Sequence, residues 1–298
     1  MNSKQNIVHM LMQEVERRYG IAPGDQVERR LVRIFKPMAT ADLVCWGRTL
    51  LSPDAAESEW LSLVECLTVH ETYFNRDKEL MAVLAAEILP RMFERKKLSG
   101  DLRLRIWSAG CSSGEETYNL AMVVLLAMKN AGCARECRDG SIVPLTGWNI
   151  SVVGSDISSQ MIRMARNGTY STVKMGSFRT MDPLLWRFFD QLEDEGGANF
   201  EGRSMRVKSS ISEITRFRQH NLLEPLPEEP FDLILCRNVL IYFDKYKATV
   251  QTHLCSSLAP GGTLVLGVTD TLLHRPALEP HHRGGVFWYV KPAAGGLQ

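Results

Sequence analysis

The sequence predicts an α/β fold in which helices cover both faces of a mostly parallel β-sheet, preceded by a short all-helical segment. From residue 78 onward, short apolar runs alternate with stretches of helical periodicity, as in successive β-α-β units. Residues 104–126 show this most clearly, because an apolar run, a turn of small residues and an apolar helical repeat follow one another directly. Residues 1–66 show only helical periodicity.

The change of pattern predicts an N-terminal helical domain over residues 1–67 and a larger α/β domain over residues 68–298. A first helix is predicted to end at Gly20, because an apolar stripe precedes that residue. A second helix is predicted from about Asp25 and a third from about Ser52.

The second predicted helix has a basic face formed by Arg29, Arg33 and Lys36. Its apolar residues are expected to point elsewhere: Leu31, Val32 and Phe35. A cationic face suits an acidic partner surface, although an ordinary solvated face would give the same pattern.

The turn at residues 108–114 is predicted to bind a ligand beside the N-terminus of the following helix, where backbone N–H groups are free. Gly110 and Gly114 permit close backbone approach, but their spacing differs from the dinucleotide fingerprint G-x-G-x-x-G. Glu115 and Glu116 argue against a pyrophosphate and favour a ligand with hydroxyl and ammonium donors, such as S-adenosylmethionine. The alternative is a loop packed tightly for steric reasons alone.

Residues 69–77 mix polar and aromatic side chains without a period, which is typical of a ligand-binding loop or of a plain linker. A helix is predicted over 78–95 and a second strand over 150–155. Asp156 then stands at the carboxyl end of that strand. There it accepts hydrogen bonds from a ribose or caps a helix at 158–167.

Residues 176–220 interrupt the alternation and predict a small inserted antiparallel β subdomain. Its expected parts are a helix over 184–192, a Gly-rich turn over 194–199, and strands over 204–208 and 215–219.

Further strands are predicted at 231–236, 263–267 and 286–290. Asp244 is expected to cap a helix at 245–258, and residues 260–262 to turn into the next strand. Several loops should leave strands at one edge of the sheet, where ligands of such folds bind: 108–114, 155–156, 221–222 and 236–238.

Composition excludes several classes of function. The formal net charge of +1 gives no case for nucleic acid, and no apolar run approaches the ~18 residues that a membrane span needs. The first residues lack a signal-peptide pattern. Cys133 and Cys137 are the only close pair among seven scattered cysteines, which predicts reduced thiols in a cytoplasmic protein without a metal site.

Several motifs together point to a known family. They are Glu-Thr-Tyr-Phe-x-Arg-Asp at 71–77, Trp-Ser-Ala-Gly-Cys-Ser-Ser-Gly-Glu-Glu at 107–116, Ser-Asp-Ile at 155–157, Asn-Leu-Leu at 221–223 and Phe-Asp-Leu-Ile-Leu-Cys-Arg-Asn-Val-Leu-Ile-Tyr-Phe-Asp at 231–244. In these the sequence resembles the chemotaxis receptor methyltransferases, CheR, over nearly the whole chain. The resemblance implies a helical N-terminal domain and a class I S-adenosylmethionine-dependent methyltransferase domain with a small antiparallel subdomain. The implied reaction is methyl esterification of glutamate side chains on the cytoplasmic helices of chemoreceptors.

The resemblance also implies residue roles. The implied cofactor-binding set is His70, Thr72, Arg76, Glu116, Asp156, Asn221, Leu222, Arg237 and Asn238. Arg76 and Tyr242 match the residues nearest the transferred methyl group and are the implied catalytic pair. The basic helix with Arg29, Arg33 and Lys36 corresponds to the receptor-facing helix. The segment 176–220 corresponds to a subdomain that docks on a receptor's C-terminal tail in some members.

Four departures from the family pattern stand out. His70 replaces a usual Asn, Asn75 a usual Phe and Thr117 a usual Pro, and the late motif Gly-His-Ser-Glu is Gly-Val-Thr-Asp at 267–270. They keep open a catalytically weak module that binds S-adenosylmethionine or S-adenosylhomocysteine. A methyltransferase for RNA or a small molecule is disfavoured, because no Asn-Pro-Pro-Tyr motif is present.

The implied chemistry needs no general base, because a glutamate with a reference pKa near 4.3 is already ionised at pH 7. Glu116 is expected at the ribose and Asp156 at the ribose or adenosine, with an exchange of these two roles left open. Arg76 is expected to hold the methionine carboxylate or to guide the substrate. Tyr242 is expected to hydrogen-bond near the methyl group.

Overall fold

The computed structural model describes residues 3–173, 176–192, 202–268, 270, 272–273 and 278–293. Its N-terminal part contains the helices α1 (Ser3–Tyr19), α2 (Asp25–Phe35), α3 (Thr40–Leu50) and α4 (Glu57–Leu67). Helix α3 was not predicted, and α4 begins later than the predicted Ser52. The chain between them forms turns, in which the Ser52 N–H bonds to the Thr49 carbonyl and the Ala55 N–H to the Ser52 carbonyl.

The helix predicted at 78–95 is confirmed and continues to Ser99. It consists of α5 (Lys78–Val83), a π-helical turn (Leu84–Ile88) and α6 (Leu89–Ser99). Pro90 has no N–H to donate, and the π turn just before it changes the hydrogen-bond ladder at that point. Gly100, with a φ of 72°, ends the helix.

In the described residues beyond 100, the chain contains the strands of three sheets and four more α-helices. The strands are β1 (Arg103–Ala109), β2 (Ala134–Glu136), β3 (Ile142–Pro144), β4 (Asn149–Asp156), β5 (Thr169–Ser171), β6 (Phe189–Gln191), β7 (Ser204–Val207), β8 (Thr215–Gln219), β9 (Phe231–Cys236), β10 (Leu258–Leu266), β11 (Glu279–Arg283) and β12 (Val286–Val290). The helices are α7 (Glu115–Asn130), α8 (Ser159–Asn167), α9 (Ser209–Ser212) and α10 (Lys247–Ser256).

The main sheet has the order β11-β12-β10-β9-β1-β4-β8. The five strands from β10 to β8 run parallel, and β12 pairs antiparallel with both β10 and β11. This confirms the predicted α/β class. The carboxyl ends of the parallel strands meet at one edge, and the chain changes direction across the sheet at β1, between β4 and β9.

Two predictions about the inserted subdomain are wrong. The helix predicted over 184–192 is instead a short 3₁₀ helix, Pro183–Phe188, which passes directly into β6. Residues 215–219 form β8 at the edge of the main sheet, parallel to β4, rather than part of the insertion. The antiparallel sheet has the order β5-β7-β6 and so begins already at Thr169. The predicted turn at 194–199 lies outside the described residues.

Two smaller predictions also fail. The residue before α10 is Tyr246 and not Asp244, whose carbonyl accepts a hydrogen bond from the Lys247 N–H in a turn. Residues 260–262 lie inside β10 instead of before it, at a shift in register against β9.

On one face of the main sheet, one apolar cluster joins residues of the N-terminal helices, of the strands and of α10. Alternate residues of β1 point to opposite faces, so Ile106 packs with α7 whereas Trp107 packs with the N-terminal helices. Trp60 of α4 and Ile234 of β9 belong to the same apolar cluster as Trp107. The boundary at residue 67 stays a prediction, and the apolar cluster continues across it.

Candidate active site

A cavity of about 270 Å³ lies at the carboxyl edge of the main sheet. Every residue of the predicted cofactor and catalytic sets lines it: His70, Thr72, Arg76, Glu116, Asp156, Asn221, Leu222, Arg237, Asn238 and Tyr242. The basic residues Arg29, Arg33 and Lys36 lie elsewhere, exposed on or just beyond α2. The structure therefore places the predicted cofactor and catalytic residues at the cavity and the predicted basic face outside it.

The turn after β1 forms the floor of the cavity. The Gly110 and Cys111 N–H groups both donate to the Ser155 carbonyl, at 2.8 and 2.9 Å, which ties the turn to the end of β4. Gly110 has a φ of +77°, and a Cβ at this position would overlap the Val239 side chain. The turn therefore requires glycine at 110 for both conformation and space.

Backbone strain is concentrated around the cavity. Within the described ranges, the non-glycine residues with positive φ are Asn75, Asp77, Ser112 and Asn238. All belong to the loops that surround the site, where such strain is commonly stored. Asn75, one of the departures from the family pattern, suits this conformation because Asn tolerates the left-handed region, and its Nδ2 donates to the Thr180 carbonyl at 3.3 Å.

Asp156 is buried at the end of β4, with 8% of its surface exposed. Its two carboxylate oxygens accept the N–H groups of Ser112 and Ser158, at 2.8 and 2.9 Å. The alternative role as helix cap is excluded, because the Ser158 hydroxyl accepts the Met161 N–H at the start of α8. Burial raises the pKa of Asp156, and the backbone hydrogen bonds oppose that shift.

Glu116 belongs to a charged network at the other end of the cavity. Its carboxylate accepts hydrogen bonds from the Ser108 hydroxyl and from Arg237 Nη1, both at 2.8 Å. The second amino group of Arg237 reaches Asp77 at 3.2 Å. Arg237 is buried, so its charge is balanced by two carboxylates from different loops.

The two adjacent glutamates have different surroundings. Glu115 is 2% exposed and points away from the cavity toward the hydroxyls of Ser113 and Ser177, each at 2.7 Å. Burial raises the pKa of Glu115. Only Glu116 faces the ligand space, and the sequence pattern could not separate the two roles.

The loop over the cavity is held by Tyr242. The Val69 N–H donates to the Tyr242 hydroxyl at 2.8 Å, and the His70 carbonyl accepts the Ser112 hydroxyl at 2.9 Å. The His70 ring contacts Thr68 Oγ1 at 2.9 Å. Burial raises the pKa of Tyr242, so its hydroxyl keeps its proton at neutral pH.

Two arginines stand beside Tyr73 at the cavity wall. Arg76 Nη1 donates to the Glu71 carbonyl at 2.6 Å, and its guanidinium lies 5.6 Å from the Tyr73 ring. The Arg179 guanidinium lies 3.7 Å from the same ring and pairs with the Glu71 carboxylate. The Glu71 carboxylate therefore balances the charge of Arg179, whereas Arg76 lines the cavity.

Sequence reasoning missed several residues of the site. Asp77 and Ser112 hold predicted residues in place, and Asn119 and His220 are buried residues that line the cavity. Asp77 lay within a quoted motif, but its contact with Arg237 joins positions far apart in the chain. Asn119 lies in an apolar helical repeat, where an isolated polar residue is the one signal that was available.

The cavity has two chemically different ends. Near β4 and β8 stand the acid Asp156 and the apolar Ile157 and Leu222, a set that suits a ribose and a flat base. Near β1 and β9 stand the charged side chains of Glu116 and Arg237, which suit an amino-acid head group. The donor set fits S-adenosylmethionine, and the fold and site define a class I methyltransferase that depends on this cofactor.

The comparisons with known proteins agree. Residues 70–284 match the family model "CheR methyltransferase, SAM binding domain". A chemotaxis protein methyltransferase of Vibrio parahaemolyticus is 34% identical over 87% of this chain and 86% of its own length. Chemotaxis protein methyltransferase 1 of Pseudomonas aeruginosa is 35% identical over 72% of this chain and 70% of its own. The chain belongs to the CheR methyltransferase family.

No group of three or more potential metal ligands is present among the described residues. In the same part of the chain, no helix is long and apolar enough to cross a membrane.

Proposed function

We propose that the chain transfers the methyl group of S-adenosylmethionine to glutamate side chains of chemoreceptors in the cytoplasm, leaving S-adenosylhomocysteine. The observation that carries the proposal is the single cavity, which is lined by all ten residues expected at the cofactor and the methyl group. Membership of the CheR family and the names of the relatives support the substrate class.

The two ends of the cavity assign the acidic residues. Asp156 stands at the end of β4, where an acid accepts ribose hydroxyls. Glu116 stands beside Arg237 at the β1–β9 end, where a carboxylate suits the ammonium group of an amino acid. We therefore assign Asp156 to the ribose and Glu116 to the amino-acid head, so the role of Glu116 differs from the ribose contact expected from the sequence.

The bound cofactor supplies an electrophilic methyl group on a sulfonium. The glutamate acceptor is ionised at pH 7, so the chain needs to orient it and exclude water rather than remove a proton. Arg76 and Arg179 flank Tyr73 and would attract the incoming carboxylate. Tyr242, which keeps its proton, accepts the Val69 N–H and would donate its own hydrogen to a group near the methyl carbon.

The receptor would meet the basic face of α2. Arg29, Arg33 and Lys36 are exposed, and Val32, predicted to point elsewhere, is 60% exposed beside them. An apolar residue among cations suits the acidic, amphipathic surface of a helical bundle. A receptor C-terminal tail would pair with the antiparallel sheet of β5, β7 and β6, which stands apart from the main sheet.

The test is transfer of a labelled methyl group from S-adenosylmethionine to cytoplasmic fragments of chemoreceptors. We expect base-labile label, released as methanol, on fragments with glutamate at the acceptor positions and none on fragments with glutamine there. Asp156→Ala should abolish labelling by loss of cofactor binding. Base-stable label would contradict esterification, and cofactor binding without any transfer would favour the non-catalytic module.

The described residues of the late departure from the family pattern lie outside the cavity wall. Among its described residues, Gly267, Val268 and Asp270 are not part of the wall. His70, another departure from the family pattern, does line the cavity wall, but its ring nitrogen is hydrogen-bonded to Thr68 Oγ1. These observations favour an active enzyme over the module.

A further inference from the structure

Asn119 is the most unusual polar residue of the cavity wall. It lies in the first turns of α7 with 1% of its surface exposed. Neither its Oδ1 nor its Nδ2 has a hydrogen-bond partner within the described part of the chain. A buried amide normally has its hydrogen bonds satisfied, and leaving both atoms unpaired costs free energy.

The position of Asn119 indicates what would satisfy it. It follows Glu116 by one turn of the helix, so both side chains lie on the same face of α7. Both line the cavity, and Glu116 is held by Arg237 at the β1–β9 end. Asn119 therefore faces the end of the cavity that carries charged residues, away from Asp156.

The chemistry of the amide indicates which part of the ligand it would bind. Oδ1 accepts hydrogen bonds and Nδ2 donates them, so one side chain can bind a positive and a negative group together. The amino-acid head of the cofactor has both, an ammonium and a carboxylate. Adenine and ribose lie at the other end by the assignment of Asp156, and they offer no such pair of charges.

We propose that Asn119 is a binding residue for the amino-acid head of S-adenosylmethionine, with Oδ1 accepting from the ammonium and Nδ2 donating to the carboxylate. The polar group is left unpaired in the free protein and gains its partners on binding. This inference rests on the cofactor site described above and adds to it a residue in the wall.

The test compares two ligands that differ only at the head group. S-adenosylhomocysteine carries the amino-acid head, whereas 5′-methylthioadenosine keeps the adenosine and the sulfur but lacks the head. Both are titrated calorimetrically into the wild-type chain, Asn119→Ala and Thr117→Val. Thr117 is the matched control, because it is buried in the same turn of α7 but does not line the cavity.

We expect Asn119→Ala to weaken S-adenosylhomocysteine binding by about tenfold or more, since hydrogen bonds to charged groups are lost. The affinity for 5′-methylthioadenosine should change by less than about twofold, because this ligand lacks the head group that Asn119 would bind. Thr117→Val should leave both affinities unchanged. An equal loss for both ligands, or no loss for either, would overturn the inference.

Stability provides a second criterion. Asn119→Leu keeps the volume and removes the unpaired amide, so its melting temperature without ligand should equal or exceed that of the wild type. If Asn119→Ala and Asn119→Leu both fail to fold, the amide is needed in the free protein and the inference is wrong. Failure of the wild-type chain to bind S-adenosylhomocysteine at all would instead count against the proposed function.

Discussion

At the scale of single residues, the site is built from buried charges that are balanced in pairs. Arg237 is held between Glu116 and Asp77, and Asp156 is held by two backbone N–H groups. Such groups are fixed before any ligand arrives, so they contribute orientation at little further entropic cost. Tyr242 and Asn119 differ from these paired groups, because their polar atoms can still form hydrogen bonds with a ligand.

Tyr242→Phe should lower turnover by about tenfold, because one neutral hydrogen bond near the reacting atoms is lost. The affinity for S-adenosylhomocysteine should change by less than about twofold, since the ring remains in the wall. Steady-state methyl transfer and calorimetric titration measure the two quantities. Tyr246→Phe, outside the cavity wall, is the control and should change neither. Unchanged turnover in Tyr242→Phe would remove this residue from the mechanism.

The pH dependence of cofactor binding should follow Asp156. Burial raises the pKa of this carboxyl, and only the ionised form accepts two ribose hydroxyls in addition to its backbone donors. Affinity for S-adenosylhomocysteine should therefore fall as pH decreases through the raised pKa, beginning above the ordinary aspartate range. Titrations between pH 4.5 and 7.5 test this.

The raised pKa of Asp156 makes folding stability depend on pH in the opposite direction from ligand affinity. Because the folded-state pKa is raised, the protonated carboxyl favours the folded chain at low pH, and that contribution is lost as pH rises through the folded pKa. Free-protein stability and ligand affinity should thus diverge in acid. Asp156→Asn should bind more weakly at pH 7 and show a flatter profile. If the affinity of Asp156→Asn depends on pH in the same way as that of the wild type, the pH dependence belongs to another group.

At the scale of elements, helix termini and loops position the site. Glu65 of α4 accepts the Ser158 hydroxyl at 2.7 Å and the Gln160 N–H at 3.1 Å, so an N-terminal helix helps to cap α8. Helix α2, by contrast, turns Leu31 and Phe35 into the core and leaves its basic face to solvent. Helix α4 thus helps to position a helix beside the site, whereas α2 exposes its basic face.

Reversing the charge of Arg29, Arg33 and Lys36 to glutamate should lower kcat/KM toward receptor fragments by at least about tenfold at low salt. The affinity for S-adenosylhomocysteine should stay unchanged, because these residues are outside the cavity wall. The difference between variant and wild type should shrink as salt is added, since exposed charges are screened. A control reversal of Arg91 and Lys97 on α6 should have little effect. Equal activity of the basic-face variant and the wild type would exclude α2 as the docking helix.

At the scale of the whole molecule, the N-terminal helices and the sheet share one apolar cluster and one cavity. Trp60 and Trp107 lie in the same cluster, and Tyr19 and Thr68 line the cavity together with Asp156. The isolated bridge between Ile21 and Phe243 adds a backbone contact. Through Tyr19, the helical segment therefore contributes to the cavity wall as well as to the core.

Thermal unfolding should occur as one transition, with a calorimetric enthalpy close to the van't Hoff value. S-adenosylhomocysteine at a hundred times its dissociation constant should add about 2.7 kcal/mol to the free energy of unfolding and raise the melting temperature of that single transition. Differential scanning calorimetry with and without ligand measures both. A separate early transition that ignores the ligand would show that residues 1–67 unfold on their own.

Much of the site was predictable because local patterns carried it. The small-residue turn predicted Gly110, and the end of an apolar run predicted Asp156. The family resemblance supplied the other predicted residues of the wall, but not Asn119 or His220. The wrong placement of β8 has its cause in strand pairing: β8 looks like its neighbours in sequence, and only its partner β4 assigns it to the main sheet. Likewise, Glu115 and Glu116 are adjacent in the chain, but their hydrogen-bond partners separate them.

The sequence by itself predicted the α/β class, the cofactor, the family and ten residues of the cavity wall, because periodicity and motif spacing are local properties of the chain. Only the tertiary structure decided that the N-terminal helices share the core of the sheet and which end of the cavity carries which charge. It also showed that Asn119 has an unpaired amide there. These depend on contacts between residues far apart in sequence, where burial and geometry determine which polar groups find partners.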